Sequence, residues 1–197
     1  MNTKFLGKTL VASALVLTTL VASALVLTTL GTGLHSSYLG LDTNKVVKTA
    51  KAEEKTNTVI WQGVKKSLID SNIISGNQGE TVKISFLLNN GQSTSIESTA
   101  NHDSFTNTSN NFSKLTQIDI KKENIPGDDF NTTVDANNTW KNLTSSLVSN
   151  GLAEKGQTVS IYSKDTSTVI TAKIGEDFND HKGFYLNKRD INKITIE

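Results

Sequence analysis

The sequence predicts an α+β fold made of two tandem units, each with one helix packed on a small mixed or antiparallel sheet. Three observations lead to this prediction. Apolar residues recur at helical spacing in two places, the apolar period changes to two after each of them, and the helical pattern returns 79 residues later. The chain is also rich in Asn, Ser and Thr with one proline, which favours turns and short strands over a helical bundle.

Eight apolar anchor positions occur in the same order in both halves of the chain. The first half has them at Trp61, Val64, Leu68, Val82, Ile84, Leu115, Ile118 and Ile120. The second half has them at Trp140, Leu143, Leu147, Val159, Ile161, Ile191, Ile194 and Ile196. Two length adjustments, of two residues and one residue, bring the sets into register, so we infer an internal duplication.

The first three anchors of each half predict its helix. Their 0, +3, +7 spacing places the tryptophan and two aliphatic residues on one face of a helix of two to three turns. Asn57 or Thr58 is expected to cap the first helix, and Asn138 or Thr139 the second. The pair Asn150-Gly151 offers the second helix a left-handed stop.

The period of two after each helix predicts strands. In the first half, Val82, Ile84 and Phe86 alternate with polar residues, and the turn signal at 89–91 predicts a hairpin whose second strand is 92–98. In the second half, residues 159–163 are expected to pair with residues 168–174. A long polar loop and a closing strand follow in each half.

A short extra strand is expected before each helix, at residues 56–60 and 130–134. The join between the units is residues 121–129, where Pro126 and Gly127 predict a turn after a charged stretch. We therefore divide the chain into residues 53–124 and 125–197. The sequence leaves open whether the two units pack together.

The first 52 residues have the pattern of a signal peptide. Lys4 and Lys8 precede an uncharged run over residues 9–30, in which VASALVLTTL occurs twice in succession. The small-residue site 50–52 predicts cleavage between Ala52 and Glu53, and hence secretion. The alternative is a permanent membrane anchor, because the doubled run is long enough to span a bilayer.

Composition after the predicted cleavage site argues against several kinds of partner. Residues 53–197 carry 15 basic and 18 acidic side chains, a formal charge of −3, which gives no electrostatic case for nucleic acid or an anionic membrane. The chain has no cysteine, so its apolar core must hold it together without disulfides. An exported protein of this kind suits a Gram-positive bacterium.

The chemistry of the chain does not point to catalysis, and we expect no catalytic residue, cofactor or metal. There is no cysteine nucleophile and no G-x-S-x-G motif, and the histidines after position 52 are His102 and His181. Each lies beside an aspartate in a long loop, which is far short of a metal ligand set, so we interpret both as solvated loop residues. Asp128, Asp129 and Asp135 lack the spacing of an EF-hand calcium loop.

Binding surfaces are expected in the long loops, residues 99–112 and 175–189, and at the sheet edges. The aromatic residues of these loops are the predicted partner-contact groups, some of which will fold over the core: Phe105, Phe178, Phe184 and Tyr185. Trp61 and Trp140 could stack on a ligand. Their place on the apolar helix stripe instead favours a core role.

The chain resembles a family of secreted staphylococcal proteins. A helix before TVKISFLLNNGQSTSIES, a long loop and the closing LNKRDINKITIE are similar to the back half of a MAP repeat, the β-grasp module of adherence and protease-inhibitor proteins. The closing pattern also resembles the C-terminal β-grasp domain of superantigens and superantigen-like exoproteins, and NKVVKTAKA resembles the end of their signal peptides. The resemblance implies two tandem β-grasp-like units and a habit of binding host proteins.

The expected function is that of a secreted, non-enzymatic exoprotein that binds an extracellular or immune-cell protein of the host and is immune-modulating or adhesive. The membrane is expected to matter only during export. One alternative is an inhibitor of a host serine protease, which the MAP resemblance allows. Another is a surface protein held in the membrane by an uncleaved helix over residues 9–30.

Overall fold

The computed structural model of the protein describes residues 53–106 and 108–197. The predicted signal peptide, including Ala52 of the predicted cleavage site, lies outside the described residues, and Glu53 begins the first strand. In the described part of the chain, no helix is long and apolar enough to cross a membrane. Residues from both predicted halves belong to one compact unit.

Helix α1 spans Asn57–Asp70, and α2 spans Ala136–Ser149. The Thr56 side chain accepts a hydrogen bond from the Val59 N–H at 3.2 Å and caps α1. The predicted caps of α1, Asn57 and Thr58, are therefore wrong. Both residues already lie inside the helix, because Thr56 has the extended backbone and short oxygen-bearing side chain of an N-cap.

The start of α2 is also earlier than predicted. The Asp135 carboxylate accepts from the Asn138 N–H at 2.9 Å, so Asp135 is the cap, and Asn138 and Thr139 lie within the helix. The end agrees with the prediction, since Asn150 is the C-cap and Gly151 has φ 64°. The two helices occupy equivalent positions of the duplication, 79 residues apart at both ends.

Strands supply the rest of the fold. They are β1 (Glu53–Thr56), β2 (Glu80–Leu88), β3 (Ser93–Thr99), β4 (Ser109–Lys122), β5 (Thr133–Asp135), β6 (Thr158–Ser163), β7 (Ile170–Lys173), β8 (Tyr185–Asn187) and β9 (Ile191–Ile196). Single helical turns occur at Gly127–Phe130 and Lys188–Asp190. The fold class is thus α+β, as predicted.

The extra strands before the helices are shifted from their predicted places. Residues 57–60 are helical and not part of a strand, because the Thr56 cap starts α1 there. In the second half, residues up to Phe130 form a helical turn and the strand begins at Thr133.

One antiparallel sheet joins the two halves. In the described residues it has seven strands in the order β3-β2-β4-β9-β6-β7, and β1 pairs with the start of β4. A separate pair is formed by β5 and β8. The halves meet where β4 pairs with β9, and there Ile118 lies opposite Ile194. These are equivalent anchors, so the pairing has the self-matching register of a two-fold interface.

A row of isoleucines crosses the face of this sheet that the helices cover. Strand pairing aligns them across the sheet in the order Ile96, Ile84, Ile118, Ile194, Ile161 and Ile170. All of them are buried, and so are all sixteen anchors of the duplication. The opposite face of the sheet is polar, with Lys83 opposite Asp119 and Asp119 opposite Lys193. Alternation of side chains along each strand thus separates a core face from a solvated face.

The helices contact each other through their C-terminal halves. The Ser146 hydroxyl donates to the Asp70 carboxylate at 3.0 Å. A Cβ on Gly63 would lie 2.8 Å from Cδ1 of the buried Leu152, so the close approach of α1 to the segment after α2 depends on glycine.

Candidate functional site

Two equivalent loops, residues 100–106 and 175–184, pack on the N-terminal halves of α1 and α2. The first loop is held by the tryptophan of α1, whose indole Nε1 donates to the His102 carbonyl at 2.8 Å. The corresponding indole of Trp140 donates to the Val159 carbonyl in β6 at 2.9 Å. Both tryptophans are buried, at 0% and 3% exposure, so the predicted core role is confirmed.

A second set of contacts fixes the first loop. Thr58 Oγ1 accepts from the Phe105 N–H at 3.0 Å and donates to the Phe105 carbonyl at 3.1 Å. The Phe105 ring meets Trp61 edge-on, with centroids 5.3 Å apart, and the His102 ring meets Phe105 at 5.2 Å. The loop is therefore a short chain of packed rings with its histidine at the solvent end.

The second loop is built in the same way. Asn137 stands where α1 has Thr58, and its side chain bonds the loop backbone at both the Phe178 carbonyl and the His181 N–H, each at 3.3 Å. The Phe178 ring packs on Trp140 at 4.7 Å. His181 follows at 5.8 Å from Phe178, and Phe184 lies 6.1 Å from His181.

The sequence carries a signal for these loops that the prediction missed. The two histidines lie in long loops of the two halves, and their distance along the chain from the helix tryptophan is the same in both. Trp61, His102 and Phe105 recur as Trp140, His181 and Phe184, each 79 residues later. The structure brings the first three residues into one cluster, and it brings the second three together with Phe178.

The predicted contact residues differ in exposure. Phe178 is 2% exposed and belongs to the core. Phe105 and Phe184 are half-buried against the core. Tyr185, at the start of β8, is 60% exposed. Tyr185 and His102 are therefore the exposed ring side chains of this surface, whereas His181 is half-buried like Phe105 and Phe184.

Polar side chains from each helix reach the loop beside it. The Lys65 ammonium lies 2.7 Å from the Asp103 carboxylate, and this hydrogen bond holds the pKa of Asp103 below its ordinary value. Gln62 Nε2 donates to the Asp103 carbonyl at 3.1 Å. In the second half, the Lys141 ammonium donates to Asn179 Oδ1 at 3.2 Å. Gln62 and Lys141 are equivalent residues, so both copies use the same helix position to hold the loop.

The histidines and aspartates do not assemble a metal ligand set in the described residues. In residues 53–106 and 108–197, no group of three His, Asp or Glu side chains is arranged to hold a metal ion. Asp135 and Asp129, two of the aspartates that suggested calcium, have other roles in the structure. Asp135 caps α2, and Asp129 pairs with Lys188 at 3.0 Å.

A partly buried polar network connects the two halves at the C-terminal end of β4. The Lys122 ammonium donates to the Ile73 carbonyl at 2.6 Å and to the Lys188 carbonyl. The Lys188 ammonium in turn binds Asp129 and the Ser75 hydroxyl. Burial lowers the pKa of Lys122 to about 8, the positive charge of Lys188 acts in the same direction, and nearby carboxylates oppose both.

The buried Glu80 carboxylate belongs to the same region. It accepts hydrogen bonds from the backbone N–H groups of Ser75, Gly76 and Asn77 at 2.7 to 3.1 Å. A cavity of about 10 Å³, the size of one water molecule, lies between Glu80, Lys122, Asp129 and Lys188. The groups are satisfied by one another, and the cavity is too small for an organic substrate. We therefore regard the network as a structural link between the halves.

A family model described as "Domain of unknown function (DUF4888)" matches residues 56–196, a range that includes both loops and both helices. None of the curated proteins matches the chain.

Proposed function

The chain belongs to the DUF4888 family, whose domain of unknown function covers residues 56–196, and from this premise we propose that it is an exported protein that binds an extracellular host protein through its two equivalent loops. In this proposal the chain acts by binding and not by catalysis. Each half is taken as a β-grasp-like unit, and cleavage between Ala52 and Glu53 releases the chain from the cell.

The observation that carries the proposal is the recurrence of a surface histidine in both copies. Buried anchors persist in a duplicated unit because the core requires them. His102 is exposed and His181 half-buried, and each packs against a phenylalanine of its own loop while remaining at least partly accessible to a partner. Polar and aromatic side chains repeated on loops point to recognition more strongly than repeated core residues do.

The loops are also held in place before any partner arrives. Helix side chains fix their backbones, through Thr58 in the first half and Asn137 in the second. A loop that is already ordered loses less conformational freedom on binding, so more of its contact energy appears as affinity.

Two equivalent loops on one compact unit allow bivalent binding. The helices meet through their C-terminal halves, at Asp70 and Ser146, whereas the loops pack on the N-terminal halves. The loops therefore lie on either side of the helix contact. When both sites are engaged, the second binding event is intramolecular, and avidity exceeds either single affinity.

Export is supported by the first 52 residues, with their basic start, uncharged run and small-residue site. The matched family range begins at residue 56, three residues beyond the first residue after the predicted cleavage site. A single polypeptide of residues 53–197 would then be the released form.

The experiment is a capture from human serum and neutrophil lysate with immobilised residues 53–197, read by mass spectrometry. A loop variant carries His102→Ser, His181→Ser and Tyr185→Ser. A matched control carries Lys83→Ser and Lys121→Ser, two exposed positions of the polar sheet face. Circular dichroism and thermal melts establish that all three proteins are folded.

The proposal predicts that the wild type and the sheet-face control capture the same host protein. The loop variant should capture at least about tenfold less of it, because contact side chains are removed from both sites. Equal capture by all three proteins would show binding elsewhere and overturn the assignment to the loops. Capture of nothing above background by the wild type would overturn the binding function itself.

A further inference from the structure

The outer edge of β3 is an open strand edge. β3 pairs with β2 on one side, and in the described residues no strand lies on its other side. Ala100 N–H donates to the Glu80 carbonyl, and Leu88 N–H donates to the Gln92 carbonyl. With the β2–β3 register, these bonds show that the even-numbered residues of β3 hydrogen-bond to β2. Because antiparallel bonds alternate along a strand, Ser93, Ser95 and Glu97 direct their N–H and C=O groups outward.

This edge lacks the features that usually protect an edge strand. β3 has seven residues, STSIEST, with an unbroken register from Leu87–Ser93 to Thr81–Thr99. It has no proline, no lysine and no bulge, and its one charge is Glu97. Long and regular edges of this kind pair readily with another strand.

The equivalent edge of the other half is different. β7 has four residues and ends at the exposed Lys173. Short length and an edge lysine are two of the ways in which proteins block edge pairing. The duplication therefore produced two edges, one of them blocked and the other open.

The β3 edge is complementary to itself. If two copies pair antiparallel about Ile96, Ser95 faces Glu97 of the other copy and Ser93 faces Thr99, so all seven residues are paired and no like charges meet. Shifting the register by two residues in one direction places the two Glu97 carboxylates opposite each other. A shift in the other direction leaves residues at the strand ends unpaired.

Pairing about Ile96 also continues a pattern already present within the chain. Ile96 ends the isoleucine row, and Ile118 and Ile194 meet in the middle of that row at an antiparallel junction of equivalent residues. A junction at Ile96 would place Ile96 against Ile96 of a second copy in the same way.

We propose that two copies of residues 53–197 form a homodimer by antiparallel pairing of their β3 strands about Ile96. The isoleucine row and the sheet then run continuously through both copies. The interface is isologous, with the two-fold axis at Ile96. This inference is independent of the role of the loops, because it rests on the β3 backbone and on residues 93–99.

The first test is cysteine crosslinking, for which the chain is suited because it contains no cysteine. Residues facing each other in a non-hydrogen-bonded antiparallel pair have Cα atoms about 4.5 Å apart, within the range of a disulfide. The Ile96→Cys protein is compared with Ile170→Cys, which alters the other end of the same isoleucine row. After mild oxidation, we expect a disulfide-linked dimer for Ile96→Cys and monomer for Ile170→Cys on a non-reducing gel.

The second test measures mass in solution by light scattering across a concentration series. Ser95→Pro removes an outward N–H of β3 and no bond to β2. Thr171→Pro is its control on β7, because the bond from Ile174 N–H to the Gln157 carbonyl places the Thr171 N–H on the outer side as well. We expect a dimer for the wild type and Thr171→Pro, and a folded monomer for Ser95→Pro.

Two results would overturn the proposal. One is a wild type that stays monomeric at every concentration, as expected if β3 is solvated or accepts a strand from a different protein. The other is a dimer that crosslinks at position 170 and not at position 96. If Ser95→Pro does not fold, the comparison of the two cysteine variants decides.

Discussion

Ile118 and Ile194 lie opposite each other where β4 pairs with β9, and each occupies the same place in its own half. Both side chains are fully buried in the core that the two halves share. Each half therefore completes the sheet of the other. A unit of about 70 residues has little core of its own, so the two halves are expected to depend on each other for stability.

Cooperative unfolding follows from this junction. Residues 53–197 are expected to unfold in urea in one transition. Without the other half, the first half would expose the edge of β4 and the second half the edge of β9. Each half contains one tryptophan, so fluorescence of Trp61→Phe reports on the second half and that of Trp140→Phe on the first. For each variant, its fluorescence and its far-UV circular dichroism should share one midpoint. Separate midpoints would show that the halves unfold independently.

The two tryptophans should have different local effects when their N–H groups are removed. Trp61→Phe leaves the His102 carbonyl without its indole donor, whereas Trp140→Phe affects the Val159 carbonyl in β6. Loss of such a hydrogen bond costs about 0.5–1.5 kcal/mol in the free energy of unfolding. Hydrogen exchange should accelerate in loop 100–106 for Trp61→Phe and remain unchanged there for Trp140→Phe. The same acceleration in both variants would contradict a separate anchor for the first loop.

The part-buried Lys122 is expected to make the stability of the protein depend on pH in the alkaline range. Its pKa is about 8 in the folded protein against 10.5 for an ordinary lysine, so between these values the unfolded chain binds more protons. Stability contributed by this group therefore rises with pH across that window. Relative to Lys122→Met, the wild type should gain up to about 3 kcal/mol between pH 7.5 and 10.5, measured by urea unfolding at each pH. A difference that stays flat or falls with pH would mean that the Lys122 ammonium is not destabilised by burial.

Substitution of Gly63 tests how closely α1 packs against the segment after α2. Alanine in place of glycine ordinarily stabilises a helix by about 0.5–1 kcal/mol. Here the added Cβ meets the buried Leu152 at 2.8 Å, so we expect Gly63→Ala to lower the free energy of unfolding by about 1–3 kcal/mol. Gly127→Ala is the control, because nothing lies within 4 Å of its Cβ position. A more stable Gly63→Ala protein would show that the helices pack less closely there.

Local patterns in the sequence were enough to predict the helices, the strands after them and the core. Trp61, Leu68 and Ile84, for example, are buried because their spacing places them on the inner side of a helix or strand. The caps were missed because several candidates adjoin each helix start. Thr56 and Asp135 became caps through backbone conformation, which residue type alone does not determine.

Long-range relationships were less accessible from the sequence. The junction of Ile118 with Ile194 depends on which strand edges meet, and periodicity does not specify this. The network of Ser75, Asp129 and Lys188 joins residues far apart in the chain, each of which looks like an ordinary surface residue. The loop clusters were partly accessible, because the offset of 79 residues between His102 and His181 is visible in the sequence.

The dissociation rate of the captured host protein tests the central claim most directly, namely that the two loops are equivalent binding sites. It would be measured on immobilised partner for the wild type, for His102→Ser, for His181→Ser and for the double variant. Two-site engagement predicts dissociation about tenfold or more faster for either single variant and no stable complex for the double variant. Rates for the double variant equal to those of the wild type would contradict the account.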